Sequence, residues 1–410
     1  MNIFRKCINL PFRLLFYLRH EYEQFQFKYK QNSGAILEVP LVRIHDVAEK
    51  VSVFKPRTEE VVYIPPIYGF IKSGSFTIDY PEIALWKLKD AIAYHRSDFI
   101  RVGNEIVWEK YYAYNFCKNI ASDRFLIKSD KDKIYIKKED VLSYVDVAFS
   151  LLGVHSQIWS HSLSEYFTKI SQLSDALQDA NTTITVLVTE YSDIQLKQII
   201  YSELGKFQNI EIKEVKAGEA VHANVLYYME RPCKFTDHEN YVEIGDSLQP
   251  RIVADIIKDT LVYPYLKQLN LPNDNKPLKL YLPRSSKKGR ALLNTEEIEA
   301  FFREQGYCFL EPHTVTLEEK IRLFNQAEVI VGPFSSAFSN MIFSKPGTKV
   351  LIMTNYNRAF ESWLTMHAQH FGMDMLYVTG QDTNSGNISH CSFYIPLEKI
   401  KRACEYHSII

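Results

Sequence analysis

The segment VIVGPFSSAFSNMIFSKPGTKVLIM, residues 329–353, constrains the fold of this chain more than any other stretch. It carries two apolar runs, 329–331 before Gly-Pro and 350–352 after Pro-Gly-Thr. Short apolar runs bounded by Gly and Pro, with a helical stretch between them, indicate parallel strands of an α/β sheet. Ser335 and Ser336 open that helix, where unpaired N–H groups and the helix dipole favour a phosphate. The segment therefore predicts a strand, a turn and an anion-binding helix start.

The same segment resembles the signature of glycosyltransferase family 61, A-x-V-I-V-G-P-H-G-A/S-x-x-x-N-x-x-F-x-x-P-G-T. The matching positions are Ala327, 329–333, Ser336, Asn340, Phe343 and 346–348. Two positions depart from the pattern, because Phe334 stands where the family has His and Ser335 where it has Gly. The resemblance implies an inverting transferase that uses a nucleotide sugar.

The resemblance extends upstream in three places. The family's basic loop is matched by Arg284, Lys287, Lys288 and Arg290. A helix start of the SLEEQ type lies at 316–320, with Lys320 in place of Gln. In WSHSLSEYFTKI, His161 and Glu165 match an H-x-x-x-D/E segment of the family's other half, while Thr168 replaces its Pro. The resemblance is strongest over 278–355.

Length and charge narrow the classes of protein that this chain can be. With 410 residues it exceeds the usual size of a single core, so two domains are expected. Its formal net charge of −1 gives no global field for nucleic acid. The six cysteines include no C-x-x-C, which argues against a zinc site and a disulfide framework and indicates a reducing cytosol. We expect a cytoplasmic protein.

The first 30 residues form a basic amphipathic segment, with six Lys or Arg against two Glu. Its apolar positions share one helical face. A helix of this kind rests on an anionic membrane or docks on its own domain, and the pattern does not separate the two. The membrane reading predicts a peripheral protein at the inner face of the cell membrane.

The remaining chain reads as two α/β halves. Residues 31–150 predict short strands and one helix at 82–94. The D-x-D at 130–132 lies among lysines, which favours a solvated turn over a metal site. Further elements of the first half are a helix at 157–177, a strand at 184–188, a helix from Ser192 or Asp193 to Gly205, strands at 210–215 and 225–228, and a helix at 250–262 that ends before Pro264.

A Pro-rich linker at 271–277 precedes a new βαβα series that starts at Leu278. Its first helix is predicted from Asn294 to Gly306, and its second begins at the capping box of Thr316 and Glu319. Two such halves predict Rossmann-like domains facing a cleft, the GT-B fold that the resemblance also implies. The predicted units are 1–30, an acceptor-side domain at 31–270, a nucleotide-sugar-binding domain at 278–396, and a helix at 397–410 that packs back across the hinge.

Glycosyl transfer requires a base for the acceptor hydroxyl and positive charge for the departing diphosphate. His161 and Glu165 are four residues apart, so one helical face presents both, and either could be the base. Spacing alone favours an ordinary pair on a helix surface. With the family pattern, we predict Glu165 as the base and His161 as its positioning partner or as a ligand for acceptor or phosphate.

The donor site is predicted at the carboxyl ends of the second half's strands, where α/β proteins bind ligands. Its cationic loop could instead be a solvated turn, Asn340 could cap its helix, and a capping box suffices to explain Glu319. The predicted donor-binding residues are Arg284, Lys288, Arg290, Ser335, Ser336, Asn340 and Glu319. The nucleotide sugar is then a co-substrate, a glycan or lipid-linked oligosaccharide is the acceptor, and no metal or cofactor is required.

Three functions are compatible with the sequence. The first is an inverting, metal-independent glycosyltransferase that builds a bacterial surface polysaccharide, capsule or lipopolysaccharide. The second is a non-catalytic nucleotide- or sugar-binding relative, for which Phe334 and Ser335 argue. The third is a serine hydrolase using Ser335 or Ser336, which the absence of G-x-S-x-G disfavours.

Overall fold

The structure is a computed structural model. It describes residues 30, 35–64, 66–107, 125–129, 133–235, 247–271, 277–284, 291–356, 359, 362–382 and 391–410. Four sequence predictions lie outside these residues: the amino-terminal segment up to residue 29, the D-x-D at 130–132, most of the linker at 271–277, and the basic-loop residues Lys287, Lys288 and Arg290. Among the described helices, every one is too short or too polar to cross a bilayer.

The described strands belong to two large sheets and two hairpin-sized ones. In chain order they are β1 (Ile36–Val42), β2 (Ala48–Lys55), β3 (Thr58–Ile64), β4 (Gly74–Tyr80), β5 (Ile83–Tyr94), β6 (Ile100–Val102), β7 (Glu105–Val107), β8 (Leu126–Ser129), β9 (Lys133–Lys137), β10 (Val141–Ser150), β11 (Ile184–Thr189), β12 (Ile210–Val215), β13 (Glu219–Met229), β14 (Lys234–Phe235), β15 (Ser247–Leu248), β16 (Leu278–Tyr281), β17 (Cys308–Phe309), β18 (Ala327–Pro333), β19 (Lys349–Asn355), β20 (Asp374–Asp382) and β21 (Phe393–Tyr394).

The helices connect these strands and include 3₁₀ and π segments. The α-helices are Ile44–Val47, Trp159–His161, Leu173–Ala180, Ile194–Leu204, Arg251–Ile257, Tyr263–Leu269, Thr295–Glu304, Leu317–Gln326, Ser362–His370 and Leu397–Tyr406. The π-helices are Ser162–Tyr166 and Lys258–Val262, and the 3₁₀ helices are Phe167–Gln172 and Ser336–Phe343.

The first large sheet has the order β12-β11-β10-β13-β5-β6-β7-β1-β9-β8, with β2 also paired to β5. Strands β10 to β13 pair in parallel, and β5 runs antiparallel to β13. The β-branched run of β11, ITVLVT, is almost wholly buried, as expected for a strand covered on both faces. The parallel part confirms the alternating pattern predicted from residue 156 onward.

The helix predicted at 82–94 is wrong, because these residues form the long strand β5. Its apolar positions fit a helical period, but β5 pairs with β13 on one side and with β2 and β6 on the other. Residues on both faces of β5 are also buried over most of its length. Such tertiary pairing overrides local propensity. Asp90, with φ of 54°, interrupts the regular strand geometry.

Two predicted helices are more irregular than their sequences suggested. The helix predicted at 157–177 is divided into α, π, 3₁₀ and α segments between Trp159 and Ala180. The helix predicted to end before Pro264 continues to Leu269, because Pro264 lies in the first turn after the π segment Lys258–Val262. The residues before Pro264 are helical too, so the proline lies within a continuous helix and removes one of its backbone hydrogen bonds, directly after the π segment.

The second large sheet has the order β17-β16-β18-β19-β20-β21, parallel except for β21. Its helices follow the prediction closely. Helix Thr295–Glu304 begins after Asn294, and in helix Leu317–Gln326 the Thr316 hydroxyl accepts a hydrogen bond from the Glu319 N–H. The doubly wound order of β17-β16-β18 places a switch point between β16 and β18.

One hydrophobic core contains side chains from both sheets and from the helices between them. Val186 and Leu196 contribute from the first half, and Phe324, Ile330 and Ile342 from the second. The two halves are therefore packed together through apolar side chains.

The last helix, Leu397–Tyr406, packs on its own sheet. Ile400, Ala403 and Cys404 lie in the core of the second half. Its contact with the first half is made by Tyr406, whose ring lies 5.6 Å from that of Tyr68. The apolar face of the helix thus packs on its own sheet, and Tyr406 contacts the first half; the packing across the hinge stays a prediction.

Candidate functional site

The predicted base lies at the switch point of the first sheet. β10 pairs with β11 on one side and with β13 on the other, so the chain connections diverge at the carboxyl end of β10. α/β proteins bind ligands in the crevice that this divergence opens. His155 follows β10 and Arg231 follows β13, so both lie at this edge.

Glu165 is the centre of a buried charge cluster. Its side chain is fully buried, and its two oxygens have different partners. Oε1 is hydrogen-bonded to Nδ1 of His161, and Oε2 accepts from Nη1 of Arg231 at 3.1 Å. The His161 side chain remains one-fifth exposed. The π-helix Ser162–Tyr166 carries Glu165, and such segments occur frequently at functional sites.

A second carboxylate, that of Asp98, contacts the cluster through Arg231 and Tyr166. Asp98 Oδ2 lies 3.4 Å from Arg231 Nε, and its Oδ1 accepts from the hydroxyl of Tyr166 at 3.2 Å. The Tyr166 ring fills the space beside Gly153, where an added Cβ would lie 2.0 Å from the ring. Glycine is therefore required at that position, and the ring fixes the loop that leads to His155.

The charges of this cluster set the ionisation of Glu165. Burial alone would raise the pKa of the Glu165 carboxyl, but the charges of His161 and Arg231 outweigh burial and lower its pKa to about 2. Burial would likewise lower the pKa of Arg231, and the carboxylates of Asp98 and Glu165 raise it above the ordinary value instead. Glu165 is therefore an anion at neutral pH, held between the His161 ring and the Arg231 guanidinium.

His155 completes a group of side chains that could ligate a metal ion. The ligand atoms of His155, His161 and Glu165 lie within 4.8 Å of one another, and the two imidazole rings are 4.5 Å apart. Burial lowers the pKa of His155 to about 4, so its ring is neutral at pH 7, as a ligand must be. Arg231 occupies the other oxygen of Glu165, and its positive charge opposes a cation there.

Lys169 is a further buried cation of this region. Its ammonium lies 5.2 Å from the Tyr166 ring and 5.3 Å from the Tyr228 ring, with no hydrogen-bond partner among the described residues. Burial lowers its pKa to about 8. Cation–π contacts offset part of the cost of burying this charge.

The predicted donor site lies at the switch point of the second sheet. Arg284 follows β16, and its Nη1 donates to the Phe334 carbonyl at 3.2 Å, which ties the ends of β16 and β18 together. The strands approach so closely that a Cβ on Gly332 would lie 2.4 Å from the Leu282 carbonyl oxygen. This contact explains the glycine of the V-I-V-G run.

The two serines of the predicted cradle differ in burial. Ser335 is buried, and its Oγ has no hydrogen-bond partner among the described residues. Ser336 is exposed at the first position of the 3₁₀ helix Ser336–Phe343. A serine nucleophile needs a base within hydrogen-bonding distance, so the contacts of Ser335 do not support a hydrolase.

The other predicted donor residues divide into three cases. Asn340 is buried, and its amide donates to the Ala337 carbonyl of its own helix at 2.8 Å. Glu319 is exposed in the first turn of its helix. Lys288 and Arg290 lie outside the described residues. Phe334, in place of the family His, is buried in the core that both halves share.

The two sites meet through a short helix. Trp159–His161, which carries the predicted site residue His161, packs against the 3₁₀ helix Ser336–Phe343. The helix Leu317–Gln326 packs against the same 3₁₀ helix, and its Lys320 ammonium lies 3.7 Å from the centroid of the Trp159 ring. Both halves therefore contribute to one region.

Sequence reasoning missed Arg231 and Asp98, the residues that fix Glu165. Arg231 had a signal, because Glu230 and Arg231 directly follow the apolar end of β13. Charged residues at such a position lie at the ligand-binding edge of a parallel sheet. Asp98 had no such signal, since it joins the cluster only through the antiparallel packing of β5.

The described fold and this site define an α/β protein that brings a carboxylate–imidazole pair close to a helix start suited to anions. A family model described as Glycosyltransferase 61 matches residues 159–351. This match supports membership of glycosyltransferase family 61, which confirms the prediction from the signature. The matched span begins at the helix of His161 and ends in β19, so it includes His161, Glu165, Arg231 and the predicted donor residues, while Asp98 and His155 lie before it. A search of curated proteins found no match.

Proposed function

We propose that this protein is an inverting, metal-independent glycosyltransferase that moves a sugar from a nucleotide sugar to a glycan acceptor. The family match supports glycosyl transfer, with a sugar donor and a glycan acceptor. The observation that carries the proposal is the buried Glu165–His161 pair beside the helix that follows β18. The inverting mechanism and the nucleotide donor rest on the resemblance of the signature.

The base in this proposal is His161. Glu165, the base predicted from sequence, is fully buried, has both oxygens engaged and has a pKa of about 2, which makes it a weak proton acceptor. His161 reaches the surface, and it is the other residue that the sequence offers as the base. In a carboxylate–imidazole pair the carboxylate orients the ring and stabilises its protonated form. Glu165 takes that role, and Arg231 keeps it ionised.

The reaction follows as a single displacement. The acceptor hydroxyl gives its proton to Nε2 of His161 while its oxygen bonds to the anomeric carbon of the donor sugar. The bond from that carbon to the nucleoside diphosphate breaks, and the diphosphate leaves with the electron pair. One displacement inverts the anomeric configuration, and the protonated ring remains paired with the Glu165 carboxylate.

The second half receives the donor in this proposal. Arg284, Lys288 and Arg290 supply positive charge to the diphosphate, and Ser335 and Ser336 present hydroxyls and backbone N–H groups at the helix start. In the same arrangement Glu319 is a contact for the ribose and Asn340 supports the donor helix. The unpartnered Oγ of Ser335 supports this placement, because a phosphate oxygen would satisfy it.

The wider arrangement in this proposal is a GT-B fold with an acceptor side at 31–270 and a donor side at 278–396. The product is a surface polysaccharide, capsule or lipopolysaccharide, built in the cytoplasm at the inner face of the membrane. Residues 1–30 supply the membrane contact through their basic face. Liposome flotation with and without these residues, on anionic and neutral vesicles, tests that contact.

The first experiment measures thermal stability with a panel of nucleotides and nucleotide sugars, with and without chelator. A ligand that binds the native state raises the melting temperature. We expect a selective shift with one nucleoside diphosphate that chelator does not change. Activity that requires an added divalent ion would refute metal independence and would implicate the group of His155, His161 and Glu165.

Measurement of kcat then tests whether His161 is the base. His161→Gln should lower kcat by about 10²-fold or more, the usual contribution of a general base, while nucleotide binding stays unchanged. His313→Gln, at an exposed position of the second half, is the control. Wild-type kcat in His161→Gln would exclude His161 as the base.

The second candidate is a non-catalytic nucleotide- or sugar-binding relative. The buried Phe334 favours it, because the family His at this position is replaced by a residue without proton chemistry. Nucleotide binding by the wild-type protein without turnover of any donor in the panel would select this candidate.

A further inference from the structure

Lys320 is a buried cation between the two halves. Its side chain is 3% exposed, and its Nζ lies 3.7 Å from the centroid of the Trp159 ring. Among the described residues it has no ion-pair or hydrogen-bond partner. The sequence singles it out as well, because the family pattern has Gln at this position. Its charge is therefore a feature of this chain that the pattern does not require.

The topology places Lys320 at the edge of the donor site. The helix Leu317–Gln326 follows β17 and the 3₁₀ helix Ser336–Phe343 follows β18, and these strands run parallel to β16. Both helices thus start at the carboxyl edge of the sheet. Asn325 Nδ2 donates to the Phe343 carbonyl at 3.0 Å, which pairs their distal ends. Lys320 lies in the first turn of its helix, and Ser336 lies in the first turn of the 3₁₀ helix that starts at the same edge.

The surroundings do not balance this charge. A buried ammonium without an anion is costly, and the face of an indole ring offsets only part of that cost. Asp193 is the carboxylate that acts on Lys320, but one of its oxygens already accepts the N–H groups of Gln195 and Leu196. Burial accordingly lowers the pKa of Lys320 to about 8. An anion in this region would gain a partner that is already desolvated.

We propose that the ammonium of Lys320 binds the diphosphate of the nucleotide donor, between the helix of His161 and the start of helix Ser336–Phe343. The assignment rests on the proposed function, and it deepens that function by adding a cation to the leaving-group site. Binding draws the ammonium from the Trp159 ring toward the phosphate oxygens. The cation thus changes its partner from an aromatic face to an anion, and the contact between the halves changes with it.

Isothermal titration with pyrophosphate, nucleoside diphosphates and the matching nucleosides tests the assignment. Lys320→Gln should weaken diphosphate and pyrophosphate binding about tenfold or more and leave nucleoside binding unchanged, since a charge-assisted hydrogen bond is lost. Lys320→Arg should restore most of the affinity. Lys345→Gln, an exposed lysine of the same half, is the control. Equal affinity of Lys320→Gln and wild type for pyrophosphate would overturn the assignment.

Tryptophan fluorescence of the unmodified chain gives a second measurement that does not depend on the folding of Lys320→Gln. Saturating pyrophosphate should change the emission of wild type, and Trp159→Phe should abolish that change. A wild-type emission that pyrophosphate leaves unaltered contradicts the proposal. If no nucleoside diphosphate binds wild type, the proposed function fails at its donor site. If it binds and only the Lys320 results are negative, the proposed function stands without this residue.

Discussion

Replacing Glu165 with Gln tests the charge cluster at the base site. The substitution keeps the size of the side chain and removes the negative charge between His161 and Arg231. Arg231 keeps Asp98, at 3.4 Å, but loses the carboxylate at 3.1 Å. Because Glu165 is fully buried, water cannot replace the lost partner. The variant should therefore be less stable than wild type as well as less active.

The expected loss in the free energy of unfolding follows from the pKa of Glu165. It falls from 4.5 to about 2 on folding, against the opposing effect of burial, because of the charges of His161 and Arg231. Each pKa unit corresponds to about 1.4 kcal/mol, so the ionised carboxylate contributes roughly 3 kcal/mol to the free energy of unfolding at neutral pH. Breaking a buried ion pair costs a similar amount, about 3–5 kcal/mol.

The pH dependence of the stability difference between wild type and Glu165→Gln is a sharper test of the Glu165 charge. A lowered carboxyl pKa stabilises the fold fully above the unfolded value, and this stabilisation is lost as pH falls toward the folded value. Urea unfolding should show wild type and Glu165→Gln about 3 kcal/mol apart near pH 7, and the difference should narrow by about 1 kcal/mol near pH 3.5. Glu211→Gln, at an exposed position of β12, should match wild type at both pH values. A difference that stays constant with pH would refute the role of the Glu165 charge.

Two further substitutions test how the donor edge is built. Gly332→Ala would place a Cβ 2.4 Å from the Leu282 carbonyl oxygen, so we expect a loss of soluble folded protein, judged by expression and circular dichroism; a wild-type melting temperature would contradict the close approach of β16 and β18. His367→Phe keeps an aromatic ring but removes the two nitrogens, of which Nδ1 lies 3.0 Å from Gln249 Oε1 and Nε2 lies 3.4 Å from the Ser339 carbonyl oxygen. Burial lowers the pKa of His367 to about 3, so the neutral ring has one N–H and donates to one of these oxygens; the substitution should cost about 1–3 kcal/mol in urea unfolding because that buried acceptor loses its donor. Unchanged stability of His367→Phe would show that water or another group satisfies that acceptor.

Many helices and strands could be predicted from the sequence because the residues that specify them are close together in the chain. Strand β12 coincides with the predicted 210–215, and the helix Ile194–Leu204 starts after the predicted cap, with Asp193 accepting from the next turn. Apolar runs, caps and Gly or Pro boundaries specify such elements without long-range contacts. The family signature is local in the same sense, since 329–353 folds as one strand–helix–strand unit.

The tertiary structure decided what no local pattern contains. Residues 83–94 carry a helical period, yet β5 is a strand because β13, β2 and β6 pair with it. The site of the proposed base depends on long-range contacts in the same way. Sequence spacing brought His161 and Glu165 together, but Arg231 reaches Glu165 from 66 residues away.

The contact between Arg231 and Glu165 also underlies the roles proposed for Glu165 and His161. On an exposed helix face, a carboxylate and a neighbouring histidine could each accept a proton. Glu165 is instead buried between the Arg231 guanidinium and the His161 ring; its pKa is lowered, and His161 is the group that reaches the surface. The sequence determined which side chains are present and their local spacing. Burial and distant charges decided their ionisation, because both depend on segments that only the folded chain brings together.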